Sequence, residues 1–237
     1  PPDEFFNNKT WASFKNWKKT LLPYYKLARF MLGTTKNTSL NKADEILKQV
    51  AIEMGKEDSF DTVDVGVYFG DQDKEVDPYF KGLGPARKGC QECAGCLVGC
   101  QHNAKNSLDK NYLYFARKFG AELIAECNVE KVEFNEGEYT VHTHSSTSWF
   151  KTNKKVFKSK GLIVSGGVLG SLKLLLKQKY KYKTLENLSD QLGLNLRTNS
   201  ESLCAITSKK EKLNHGIAIT SVFEPDDHTH IEVVKYP

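Results

Sequence analysis

Four of the six cysteines fall in one short run, Cys90-Gln-Glu-Cys93-Ala-Gly-Cys96-Leu-Val-Gly-Cys100. The spacing is C-x2-C-x2-C-x3-C. Thiolates spaced this closely can converge on one small body, and bacterial ferredoxins hold iron–sulfur clusters with the same spacing. Two features stand against that reading. Gln101 follows Cys100 where the ferredoxin run has proline, and no second run is present, so Cys127 or Cys204 would have to complete a cluster. A four-thiolate zinc site is a further alternative, although zinc sites usually join two separated knuckles. Spacing alone leaves two readings open. Cys90, Cys93, Cys96 and Cys100 either hold a metal or [4Fe–4S] cluster, or are free or disulfide-linked structural thiols.

The second group of interest is Ser165-Gly166-Gly167-Val168-Leu169-Gly170. It is a near miss to the dinucleotide fingerprint, with Ser165, Gly167 and Gly170 in the three glycine places. Glycines at such a turn let backbone N–H groups approach a ligand at a helix N-terminus. An ordinary buried strand-to-helix turn has the same pattern. The turn is nevertheless the best candidate on this chain for lying against a cofactor.

Periodicity supplies the elements that must position these groups. Trp11, Phe14, Trp17, Leu21 and Leu22 repeat at helical spacing, and a second apolar stretch follows Pro23 and stops at Gly33. Residues 41–55 read as a helix closed by Gly55. Val63, Val65, Val67 and Phe69 alternate like a strand. Behind the cysteines, Leu108, Tyr112, Phe115 and Phe119 share a helical face ending at Gly120. Residues 123–125 read as a short strand. Residues 129–134 and 138–143 alternate around Asn135-Glu136-Gly137, a hairpin signal, with a third strand through Val156 and Phe157. Residues 161–165 read as a buried strand entering the glycine turn, and 172–177 as a helix. Residues 184–200 are turn-rich, and 216–234 hold two more strands.

Composition bounds the rest. The 237 residues suffice for one large domain or two small ones, and 39% hydrophobic against 27% charged content marks a globular chain. The formal charge of +5 is spread along the sequence. Its densest basic stretch, residues 151–160, follows Phe150, includes Val156 and Phe157, and reads as a solvated hairpin rather than a nucleic-acid surface. No run approaches the ~20 apolar residues of a membrane span. No secretory signal is visible, and the cysteine usage fits a reducing compartment, so a cytoplasmic location is expected. The missing initiator Met and the stop after Ile231 to Val234 lead us to expect an internal fragment.

Around the cysteine run the residues become specific. Gly99-Cys-Gln-His-Asn-Ala-Lys-Asn-Ser-Leu-Asp-Lys-Asn-Tyr-Leu113 resembles the glucose–methanol–choline (GMC) flavin oxidoreductases, in the branch that contains cholesterol oxidase. The resemblance continues in order through Asn128-Val129, Ile163-Val-Ser-Gly-Gly-Val-Leu-Gly-Ser-Leu-Lys-Leu-Leu175, Leu188-Ser-Asp-Gln-Leu-Gly193, Arg197-Thr-Asn-Ser-Glu-Ser202 and Thr229-His-Ile-Glu-Val-Val-Lys-Tyr-Pro237. It covers residues 76–237, and more loosely Trp17 to Tyr25 and Ala28 to Gly33.

The resemblance implies a mixed α/β (α+β) chain carrying part of an FAD-binding domain and part of a substrate-binding sheet with helices, both incomplete. Residues 1–103 would be the substrate-side segment with the cysteine loop, 104–190 the FAD side, and 191–237 part of the substrate sheet. The implied activity is FAD-dependent oxidation of the CH–OH group of a small-molecule alcohol, bulky and apolar or sterol-like. Oxygen, a quinone or a protein would accept the electrons. Val129 matches the position whose backbone meets the adenine, and Gly166 and Gly167 match the turn lying along FAD. Glu232 matches the acidic residue that moves a proton during double-bond isomerisation. A carboxylate between Ile231 and Val233 in an apolar cavity would have a raised pKa and could act as a general base. The alternatives are a ferredoxin-like electron-transfer protein without alcohol chemistry, and a thiol-stapled binding module. The family's first G-x-G-x-x-G and its C-terminal histidine–asparagine pair do not occur here. The stretch by itself is therefore not expected to bind FAD tightly or turn over.

Overall fold

The computed structural model describes residues 3–197 and 200–237, so Thr198 and Asn199 of the Arg197–Ser202 stretch lie outside the described residues. In chain order the elements are α1 (Asp3–Asn7), α2 (Trp17–Met31), β1 (Thr35–Lys36), α3 (Lys42–Glu53), β2 (Asp61–Thr62), β3 (Asp64–Val65), α4 (Tyr112–Lys118), β4 (Cys127–Asn135), β5 (Glu138–Ser145), β6 (Lys155–Ser159), α5 (Gly167–Leu176), β7 (Ile219–Asp226) and β8 (Thr229–Val234). Helix and sheet are mixed, as expected. They divide into two compact units, residues 1–121 with 206–237, and residues 122–205. These limits differ from the sequence boundaries at 103 and 190. The helix behind the cysteines belongs with the first unit, where Phe115 meets Phe80 edge-on at 4.9 Å and Phe80 in turn meets Phe30 of α2 at 5.8 Å.

In the first unit local chemistry sets the helix limits. Asn16 caps α2 by accepting the Lys19 N–H, and the helix runs on through Pro23. Trp11 and Phe14 lie in turns before it rather than in the helix itself. Asn41 and Asp44 form a reciprocal capping box at the start of α3. The three glycine stops hold. Beyond Gly33, Gly55 and Gly120 the next N–H reaches back to Arg29 O at 2.9 Å, Ala51 O at 2.8 Å and Ala116 O at 2.9 Å, a pattern that needs a left-handed residue at the glycine. The strands β2, β7 and β8 form an antiparallel sheet in that order, and β1 pairs with β3. The expected strand through 63–69 is only β3, followed by a single bridge between Val67 and Lys105.

α3 packs on β7 and β8 over a buried polar knot. Asp44 and Lys235 are 0% and 3% exposed at their side chains and 3.0 Å apart. Asp44 also accepts the hydroxyls of Thr220 and Ser221. Burial pushes the Asp44 carboxyl up, but hydrogen bonds from Ser221, Thr220, Lys235 and the Asn41 N–H outweigh that and hold it below its ordinary value. A small apolar core of Val67, Ala104 and Ile217 carries Cys90, Cys96 and Cys100 packed against it.

The second unit is the antiparallel sheet β4-β5-β6 with α5. The expected hairpin forms. Glu136 and Gly137, with φ of 50° and 80°, make the two-residue turn whose twist matches the strands. The basic stretch lies on β6, where Lys158 meets Glu138 at 3.1 Å. Beyond α5 the chain widens into a π-helical turn at Lys177–Tyr182, and the buried Gln178 anchors it to β4 by donating to Glu130 O at 3.1 Å and accepting the Val132 N–H at 3.0 Å.

Two strand expectations fail. Residues 161–165 form no strand and join no ladder among the described residues, and Ile163 is 88% exposed. Residues 123–125 form no strand either. A strand exists by its ladder, and an apolar run without a neighbouring edge cannot make one. The apolar face at residues 108–119 splits into a 3-10 turn, Leu108–Lys110, and α4. Among the described residues no helix is long and apolar enough to cross a membrane.

Candidate functional site

The cysteine loop is laced into the first unit by its backbone. Cys90 N–H donates to Tyr68 O at 2.8 Å, Ala94 N–H to Gly216 O at 2.8 Å, and Gly216 N–H to Glu92 O at 2.9 Å. Left-handed residues at Glu92, Ala94 and Asn103 curl the chain back on itself. As a result Cys90, Cys93, Cys96 and Cys100 line one small, mostly apolar pocket, joined by Val67, His102 and Lys105.

All six cysteines are free thiols, so the disulfide-linked alternative is not what the structure shows. Two sulfurs accept backbone N–H groups, Cys90 from Glu92 and Cys100 from Ala104, each at 3.4 Å. The two thiols are tuned in opposite directions. Burial pushes Cys90 up to about 11. Burial also pushes Cys100 up, but the N–H groups of Lys105, Ala104, His102 and Asn103 outweigh it and hold that thiol below its ordinary value. Among the described residues no group of three or more His, Cys, Asp or Glu side chains is placed to hold a metal ion, so the single-ion zinc alternative finds no geometry here.

Beside the loop lies a polar cluster that sequence reasoning missed. Arg87 is fully buried and donates from Nη2 to Asn106 Oδ1 at 2.6 Å and to Lys110 O at 3.2 Å. Its Nε and Nη1, with Tyr79 OH and Asn106 Nδ2, have no hydrogen-bond partner among the described residues. A lone arginine after Gly-Pro-Ala carries no burial signal in sequence. The same applies to Lys235, which follows an apolar strand.

Asn106 also borders a groove of about 380 Å³ walled by Leu32, Val65, Val67, Ile217 and Ile219, with Lys105 as its cation. This volume lies within the usual range of small-molecule sites. Glu232 is not among the lining residues. It is exposed on β8, opposite Val222 in the ladder, with His230 Nε2 3.6 Å from its carboxylate. The structure therefore does not enclose Glu232 in an apolar cavity.

In the second unit Ser165, Gly166, Gly167 and Gly170 are all exposed. α5 begins at Gly167 with Gly166 in the N-cap position and no side-chain cap, while the Gly166 N–H itself donates to Ser171 Oγ at 3.1 Å. A Cβ built on Gly167 or Gly170 would meet nothing within 4 Å. The turn is thus open on the side from which a ligand could approach uncapped N–H groups. Val129, 37% exposed, lies on β4 of the same unit beside a bulge between Val129 and Lys131.

A family model described as GMC oxidoreductase matches residues 84–198. A cholesterol oxidase of Mycobacterium tuberculosis (strain H37Rv) is 40% identical over 247 residues, an alignment covering 100% of this chain and 43% of the relative. A cholesterol oxidase of Acinetobacter baumannii is 37% identical over 249 residues, covering 100% of this chain and 45% of the relative. No solved structure matches the chain significantly. The chain thus spans less than half the length of these relatives. Neither the ferredoxin-like protein nor the thiol-stapled module draws support from them. Four ordered motifs of the resemblance lie inside the matched segment and the identity runs along the whole chain, so over this length the chain is similar to the GMC oxidoreductases.

Proposed function

We propose that the chain is part of an FAD-dependent oxidoreductase that removes a hydride from the CH–OH carbon of a bulky, apolar, sterol-like alcohol. The observation that carries this reading is the 40% identity to a cholesterol oxidase along the entire chain. Bound FAD would supply the hydride acceptor. The residues present fit that group. The open turn at Ser165, Gly166, Gly167 and Gly170 offers the uncapped start of a ten-residue helix to an anionic linker, and the backbone at Val129 would face the adenine.

The apolar groove beside Asn106 suits a hydrocarbon substrate, whose burial is favourable at roughly 25 cal/mol per Å². Glu232 is the proposed proton carrier.

The test is the full-length protein. Flavin absorption, release of FAD on denaturation and cholesterol-dependent reduction of an artificial acceptor are expected. A purified, folded protein without flavin would sink the reading. Glu232→Gln is expected to reduce double-bond isomerisation while leaving alcohol oxidation, followed by separating the two products. Equal loss of both products would remove Glu232 from the proton-transfer role.

A further inference from the structure

We infer that Cys90, Cys93, Cys96 and Cys100 hold an iron–sulfur cluster, a second redox group in addition to any flavin. The inference does not depend on the flavin reading, because every residue it uses lies in the first unit.

Four free thiols line one pocket, three of them seated on the apolar cluster of Val67, Ala104 and Ile217. Water is a poor occupant. It needs two to four good polar partners, and thiols are weak donors and acceptors.

A single metal ion is also a poor occupant. It would draw thiolates to about 2.3 Å from one point, and no such group of side chains is present among the described residues. A cluster is a larger inorganic body whose thiolate ligands stand further apart. In two-cluster ferredoxins the fourth cysteine of this spacing serves a second cluster, whereas here Cys100 lines the same pocket as Cys90, Cys93 and Cys96 and can complete the set without Cys127 or Cys204.

The surroundings fit the charge of a thiolate-ligated cluster. The N–H groups of Glu92 and Ala104 point at Cys90 and Cys100 sulfur at 3.4 Å, the kind of hydrogen bond that tunes cluster potentials. Lys105, which lines the pocket and is fixed by its bond to Cys96 O at 2.7 Å, places a cation beside it.

The experiment is anaerobic purification of the full-length protein. Iron and acid-labile sulfide are expected in nearly equal amounts, about four of each for a complete cluster, with a broad visible absorption that bleaches on reduction. Cys96→Ala is expected to lower iron at least tenfold while flavin content stays unchanged, and Cys204→Ala to leave iron unchanged. If Cys96→Ala fails to fold, Cys93→Ser, at the exposed position, carries the same test. Stoichiometric zinc without sulfide overturns the inference. So does the absence of iron after anaerobic reconstitution with ferrous iron and sulfide. Iron with sulfide but without flavin would uphold the cluster and overturn the flavin reading instead.

Discussion

The loop around residues 89–106 and the turn at 161–170 both use glycine to approach a candidate cofactor position, and they are built in opposite ways. In the loop the backbone is already crowded, and a Cβ on Gly89 would stand 1.8 Å from Gly70 O. At the turn a Cβ on Gly167 would meet nothing within 4 Å, and Val168 and Leu169 are 60% and 74% exposed. The loop draws its shape from contacts inside its own unit. The turn keeps only its helix start, because the run before it has no ladder. A site closed by backbone bonds within its own unit is pre-organised in this chain, whereas a site at the end of a strand depends on the sheet that strand joins.

Substitutions can break or sharpen this contrast. The largest effect is expected at the knot beneath the first unit. Asp44→Ala leaves Lys235 buried and unpaired, a loss of about 4 kcal/mol read as a shift in the urea midpoint. A shift near zero would show that the unit does not rest on this pair. The pH dependence has a definite sign. The folded carboxyl of Asp44 lies below its ordinary value, so its stabilisation is complete above the unfolded pKa of about 3.9 and is lost as pH falls through the lower folded value. Acid-unfolding curves of the parent and of Asp44→Ala should therefore converge at low pH.

Gly89→Ala is expected to cost about 3 kcal/mol by forcing backbone against backbone. A thermal unfolding temperature equal to the parent's would mean the loop yields freely. In the second unit Gln178→Ala should cost about 2 kcal/mol. It leaves the Val132 N–H and the Glu130 and Leu174 carbonyls without their side-chain partner, and denaturant titration measures the loss. Gly167→Ala is the smallest, about 1 kcal/mol for an alanine held at φ +72°. Its informative readout is FAD retention in the full-length protein. Unchanged retention would indicate that the cofactor does not approach this turn.

Much of the local structure was legible in the sequence. The glycine stops at 33, 55 and 120, the start of α3 at Asn41, the Glu136-Gly137 hairpin and the two late strands all follow from residues a few positions apart. Those residues satisfy each other's backbone groups whatever surrounds them. The unpaired run at 161–165 was misread for the converse reason. Its Leu-Ile-Val composition specifies burial, but burial needs a partner. Arg87, Gln178 and the Asp44–Lys235 pair were invisible because their residue types ordinarily face water.

The sequence by itself determined the likeness to the GMC oxidoreductases, the thiol spacing and the limits of most helices and hairpins. The first two rest on residue identity in order, the third on hydrogen bonds that close over three to five residues. The tertiary structure alone decided that the four thiols share one pocket. It also decided that a buried ion pair fastens α3 to the late strands, and that Glu232 stands exposed beside His230. Those outcomes depend on which distant segments meet, such as Glu92 with Gly216 or Asp44 with Lys235, and no local pattern encodes such meetings.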